Sequence, residues 1–84
     1  MTRDGIRAAV VGAITSVAPE IDPASLPPDV AFRQAFELDS MDFLNVVVRL
    51  HDALGVDVPE ADYSRLATVN GAVEYLAGKL GVGG

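Results

Sequence analysis

Apolar residues recur at helical spacing near the start of the chain, at Ile6, Val10, Ala13, Ile14 and Val17, with Thr2 and Asp4 ahead of them as candidate caps. Pro19 closes this first predicted helix. The stretch 20–37 then holds Pro23, Pro27 and Pro28, too many for a continuous helix. It is long for a connection in a compact domain. Leu26, Val30, Phe32 and Phe36 predict an ordered loop pinned by apolar anchors, with 31–36 as a brief helical turn. A second helix is predicted from Ser40 to Leu54, stopped by Gly55. Pro59 opens a short third helix through Leu66, and Thr68 caps a fourth whose face is Val69, Ala72, Val73, Leu76 and Leu80. Gly81 ends it, and 81–84 read as a flexible tail. Strand-like alternation is absent. The pattern predicts an all-α bundle of four helices, three longer and one short, forming a single domain over 1–84.

The second predicted helix carries two apolar stripes. Phe43, Val46, Val47, Leu50 and Leu54 fall on one side, and Met41, Leu44 and Val48 on another. One stripe serves the core. The other is either a partly exposed docking strip or is covered by loop residues such as Leu26.

Composition narrows the chemistry. Half of the 84 residues are apolar, which suits a small helical core. There are no cysteines, so disulfides, thiolate metal sites and a cysteine nucleophile are excluded. Any thiol that this domain works through must arrive on a prosthetic group. A net charge of −6 and a pI near 4.4 argue against nucleic acid and anionic membranes, and favour partners with basic surfaces. Apolar runs are too short to span a bilayer, and the N-terminus lacks a signal-peptide plan, so a cytoplasmic setting is expected.

The densest local signal is Leu38-Asp39-Ser40-Met41, at the start of the second helix. Asp39 suits the N-cap, and Asp42 is placed to cap reciprocally and to favour the positive end of the helix. Ser40 then falls at the first helical position, its short side chain free to face solvent. Aspartate and serine are common at helix starts for capping alone, so the pair is by itself a structural signal.

A hydrolytic role for Ser40 fails on geometry. The one histidine, His51, is eleven positions along the same helix, ~16 Å away at about 1.5 Å per residue. The flanking Leu38 and Asp42 also depart from a Gly-x-Ser-x-Gly elbow. Asp39, Asp42, Asp52, Asp57, Glu60 and Asp62 lack calcium-loop spacing and read as a solvated acidic face that steers basic partners. No metal site is expected. His51 reads as an exposed helix residue, and Tyr63 and Tyr75 as closing the bundle with hydroxyls near solvent.

Leu38-Asp39-Ser40-Met41 resembles the Asp-Ser-Leu/Met motif of acyl carrier proteins, whose serine carries 4′-phosphopantetheine. The step Val56-Asp57-Val58-Pro59-Glu60 and the segment Val69-Asn70-Gly71-Ala72-Val73-Glu74-Tyr75-Leu76 are similar to the same family, so the resemblance runs nearly the full length. It implies an acyl-carrier-like four-helix bundle with a covalent 4′-phosphopantetheine on Ser40, and Asp39 as motif residue and helix cap. It implies a carrier without catalytic residues of its own. A separate phosphopantetheinyl transferase would attach the arm from coenzyme A with Mg²⁺, and the arm's thiol would hold acyl groups as thioesters. The partners implied are that transferase, an acyl-loading ligase and acyl-processing enzymes with basic and apolar docking patches. Met41, Asp42, Leu44, Asn45, Val48 and Asp52 are the expected docking residues of a monomer. Fatty-acid, lipid, polyketide or other secondary-metabolite synthesis would be the setting.

Five positions depart from the family pattern. Glu37 stands where a glycine is usual, two residues before the aspartate, and Met41 replaces the commoner leucine. Asn45, Arg49 and His51 dilute the acidity of the second helix, leaving Asp42 and Asp52, which suggests a specialised stand-alone carrier. An aminoacyl or peptidyl carrier, and an unmodified acidic helical interaction module, stay open as alternatives.

Overall fold

The computed structural model describes residues 2–82, and the expected Gly83-Gly84 tail lies outside them. Four helices of seven or more residues form the bundle, and no strand occurs among the described residues. The first, α1 (Arg3–Val17), is capped by Thr2, whose hydroxyl accepts from the Gly5 N–H at 3.1 Å; Asp4 sits in the first turn instead. The loop beyond Pro19 contains a 3₁₀ turn at Pro23–Ser25 and one turn of helix, α2 (Phe32–Ala35). Next comes α3 (Ser40–Leu54), ended by Gly55 in the left-handed conformation at φ 68°. A 3₁₀ helix spans Glu60–Leu66, with Pro59 at its N-cap, and α4 (Val69–Leu80) closes the bundle.

The central helix is α1, packed against both α3 and α4, with the 3₁₀ helix lying on α4. Its face of Ile6, Val10, Ala13 and Ile14 is buried, and meets Phe43, Val46, Val47 and Leu50 of α3 and Val69, Ala72, Val73 and Leu76 of α4 in one apolar cluster. Val17 and Leu54 are only partly buried against it.

The interhelical loop is ordered, but its anchors differ from expectation. Phe32 is buried, Leu26 and Phe36 are partly buried, and Val30 is exposed; Ile21 and Leu38 are the further buried anchors. Val30 lies just before α2 turns the chain inward, so Phe32 takes the interior place. Backbone bonds complete the attachment, with Phe32 N–H donating to the Ala67 carbonyl at 3.1 Å and Asn70 N–H to the Pro28 carbonyl at 3.0 Å.

Two further corrections fall on α4. Leu80, expected on the core face, is exposed, while Tyr75 and Ala77 are buried. Gly81 turns the chain back so that Val82 N–H donates to the Ala77 carbonyl at 2.9 Å, and Val82 packs on the core. The expected tail therefore does not begin at Gly81. Tyr75 is a core residue rather than a surface closure, its hydroxyl donating to Asp62 Oδ2 at 2.6 Å.

Candidate functional site

Ser40 is the first residue of α3, exposed at the junction of the loop and the helix. Its neighbours hold it there. Asp42 N–H donates to Asp39 Oδ1 at 2.8 Å, and Asp39 N–H donates to Asp42 Oδ2 at 3.3 Å, a reciprocal capping box around the serine. Asp39 is extended at φ −83°, ψ −178°, as an N-cap must be, which sets the direction from which the chain enters the helix. Upstream, the buried Leu38 fastens the approach, and its N–H donates to the Arg33 carbonyl at 2.8 Å. Between them Glu37 takes φ 55°, the sole positive φ among described non-glycine residues. The backbone thus keeps the left-handed turn that glycine would make without a Cβ penalty.

An aromatic wall stands below this junction. Phe32 stacks on Phe43 with ring centroids 6.1 Å apart, and Tyr63 meets Phe43 edge-on at 5.7 Å. Beside it opens a groove of about 570 Å³, lined by Ala31, Leu38, Phe43, Tyr63 and Ala67 with Arg33, Gln34 and Ser64 at its polar parts.

One residue at the site escaped the sequence reading. Arg33, on α2, reaches Ser40 Oγ through Nη2 at 3.4 Å and the Leu38 carbonyl through Nε at 3.5 Å, with its guanidinium over the Phe43 ring at 5.4 Å from the centroid. The available signal was its isolation: it is the one cation between Arg7 and Arg49.

Along α3, Met41, Leu44 and Val48 are 68%, 41% and 54% exposed, so no loop residue covers Leu44. Asn45 and Asp52 are exposed on the same side. Asp42 is partly buried, and its carboxylate is engaged in the cap. Arg49 lies on the flank facing α1, beside Gly12 and Ser16. His51, on the other flank, brings Nδ1 to 3.0 Å from Asp57 Oδ1 and 3.2 Å from the Val56 carbonyl, so its ring turns toward the loop after α3. No described helix is long and apolar enough to cross a membrane.

A small helical bundle that exposes a capped serine at a helix start, beside an apolar strip, is built to present a group rather than to transform one. Comparison with known proteins gives the same class. Residues 8–76 match the family model described as a phosphopantetheine attachment site. The acyl carrier protein of Lactobacillus johnsonii is 38% identical over 56 residues, covering 67% of this chain and 70% of that protein. That of Rubrobacter xylanophilus is 30% identical over 56 residues, covering 67% and 69%. The acyl carrier protein of Thermosynechococcus vestitus is 26% identical over 70 residues, covering 83% and 86%. The chain belongs to the acyl carrier protein family of phosphopantetheine-binding carriers. Its prosthetic group is a covalently attached 4′-phosphopantetheine, and it is a carrier, not an enzyme. Proteins of this family meet phosphopantetheinyl transferases and acyl-processing enzymes. The site fits such an arm: the Ser40 hydroxyl is exposed, its surroundings are open, and a guanidinium stands beside it.

Proposed function

We propose that Ser40 bears the 4′-phosphopantetheine arm, and that the domain holds acyl intermediates as thioesters for enzymes of a dedicated lipid or secondary-metabolite pathway. The observation that carries the reading is the exposed Ser40 hydroxyl inside the Asp39–Asp42 capping box, within the span that matches the family. The apolar lining of the adjacent groove supports an acyl rather than an aminoacyl cargo. Met41, Leu44 and Val48, with Asn45 and Asp52 beside them, are the proposed docking surface, and Arg49 and the reduced acidity of α3 support dedicated partners. A cytoplasmic setting, where coenzyme A donates the arm, belongs to the same proposal.

Tethering turns encounters between a free intermediate and an enzyme into encounters between protein surfaces, with a high effective concentration once docked. Incubation with a broad-specificity phosphopantetheinyl transferase, coenzyme A and Mg²⁺ should add one arm by intact mass, and Ser40→Ala should add none while staying folded. An arm on the Ser40→Ala variant would overturn the assignment. An acyl-activating ligase that loads the holo protein, where an aminoacyl-activating enzyme does not, would settle the cargo class.

A further inference from the structure

Resting on the reading of Ser40 as the attachment residue, we propose that Arg33 is the phosphate-positioning residue of this carrier: its guanidinium pairs with the phosphodiester once Ser40 is modified. The chain has six basic residues in all. Arg3 pairs with Glu74, Arg7 donates to Asn70 Oδ1, Arg65 and Lys79 lie over the Tyr75 ring, and Arg49 faces α1. Arg33 alone of the six contacts the candidate attachment oxygen. The ion pairs among the described residues are Arg3–Glu74 and His51–Asp57, so Arg33 is in neither.

Its position is held without consuming its donors. The guanidinium rests over the Phe43 ring, and its two polar contacts are long, at 3.4 and 3.5 Å, leaving most of its five N–H groups unengaged. Phosphorus bonded to Ser40 Oγ would place two non-bridging oxygens, which share one negative charge, two bonds beyond the atom that Arg33 already reaches. Planar guanidinium suits such a group geometrically as well as by charge. Local electrostatics supply the need. Glu37, Asp39 and Asp42 all lie within three residues of Ser40, and a phosphodiester adds another negative charge among them. Arg33 is the cation placed to offset it and to aim the first bonds of the arm across the mouth of the groove.

The test is a four-species cycle. Apo and holo forms of wild type and Arg33→Gln are prepared with transferase, coenzyme A and Mg²⁺, full modification at Ser40 being verified by intact and peptide mass. Whatever the absolute effect of the arm, the holo-to-apo ratio of folding constants from urea unfolding should be roughly two- to fivefold higher in wild type than in Arg33→Gln, the range of an exposed ion pair. That difference should shrink at high salt. The ³¹P resonance of the phosphodiester should differ between the two holo proteins at low salt, and Arg33→Lys, which keeps the charge, should restore part of both effects. Equal ratios with an unmoved ³¹P resonance would overturn the proposal. A change in transfer rate alone would also overturn it, assigning Arg33 to transferase docking. If no chain gains an arm, or if it lands elsewhere than Ser40, the Ser40 assignment falls on mass alone and the Arg33 proposal falls with it.

Discussion

Asp39 and Asp42 each accept a hydrogen bond from the other's backbone amide, at 2.8 and 3.3 Å, and Ser40 sits between them. One device therefore starts α3 and fixes the serine. Asp39→Ala should cost about 1 kcal/mol, the usual value of a lost cap, and Asp42→Ala should cost less because it breaks the longer bond. The double variant should lose less than the sum, since each bond steadies the other. Urea midpoints measure all three. Arm transfer to Asp39→Ala should slow by more than its unfolded fraction explains. Additive losses would show that the two carboxylates act separately.

Glu37 provides a second test, because φ 55° is a conformation that suits glycine. A left-handed residue with a Cβ is strained by about 1–2 kcal/mol, while glycine frees the unfolded chain by about 0.4–1 kcal/mol. Glu37→Gly should therefore stabilise by up to about 1.6 kcal/mol, and Glu37→Val should destabilise, being β-branched. A lower urea midpoint for the glycine variant would mean that the side chain of Glu37 contributes more than its backbone strain costs.

These two positions show how unevenly the site could be read from residues alone. The capping box was legible because spacing and residue type coincide there. The left-handed turn at Glu37 was not, since glutamate carries no turn signal. The helices followed from periodicity, as did the second apolar stripe of Met41, Leu44 and Val48, but its exposure did not, since periodicity cannot tell a bare stripe from one covered by a loop. What escaped were contacts between distant segments. Asn70 accepts from Arg7 and donates to Asp29 across the loop, at 2.8 and 2.6 Å, and no local pattern announces that. Leu80 misled because a helical face says nothing of where the chain turns back, and Val82 came in beyond it.

Tyr75 links the 3₁₀ helix to α4 in a way that depends on pH. Its hydroxyl donates to Asp62, and that bond, then burial and the carboxylate's charge, push the phenol above its ordinary 10.0, with Arg65 pulling it back. A raised folded pKa favours the protonated form in the native state. The contribution is thus complete below pH 10, the unfolded value, and is lost as pH climbs through the folded one. The stability gap between wild type and Tyr75→Phe should be constant near neutrality and narrow above pH 10. Chemical denaturation at a series of pH values would show it, and a gap that widens with alkalinity would contradict the assigned hydrogen bond.

The exposed strip on α3 makes the last prediction. Met41, Leu44 and Val48 share one side of the helix near Ser40 and are all more than 40% exposed. A charge there should leave the free protein stable but be desolvated within a small apolar contact on docking. Leu44→Asp and Val48→Asp should therefore move the urea midpoint little, within about 0.5 kcal/mol as for ordinary surface changes, while sharply reducing loading by a cognate enzyme. Large stability losses would make them core residues. Charge specificity should lie mainly with Arg49, because His51 faces Asp57 across 3.0 Å. Arg49→Glu should improve docking to a basic general fatty-acid-synthesis enzyme, and adding His51→Glu should contribute less, since it also places a carboxylate against Asp57. If neither variant gains with such an enzyme, the reduced acidity of α3 does not select the partners, and the case for a dedicated pathway loses its electrostatic support.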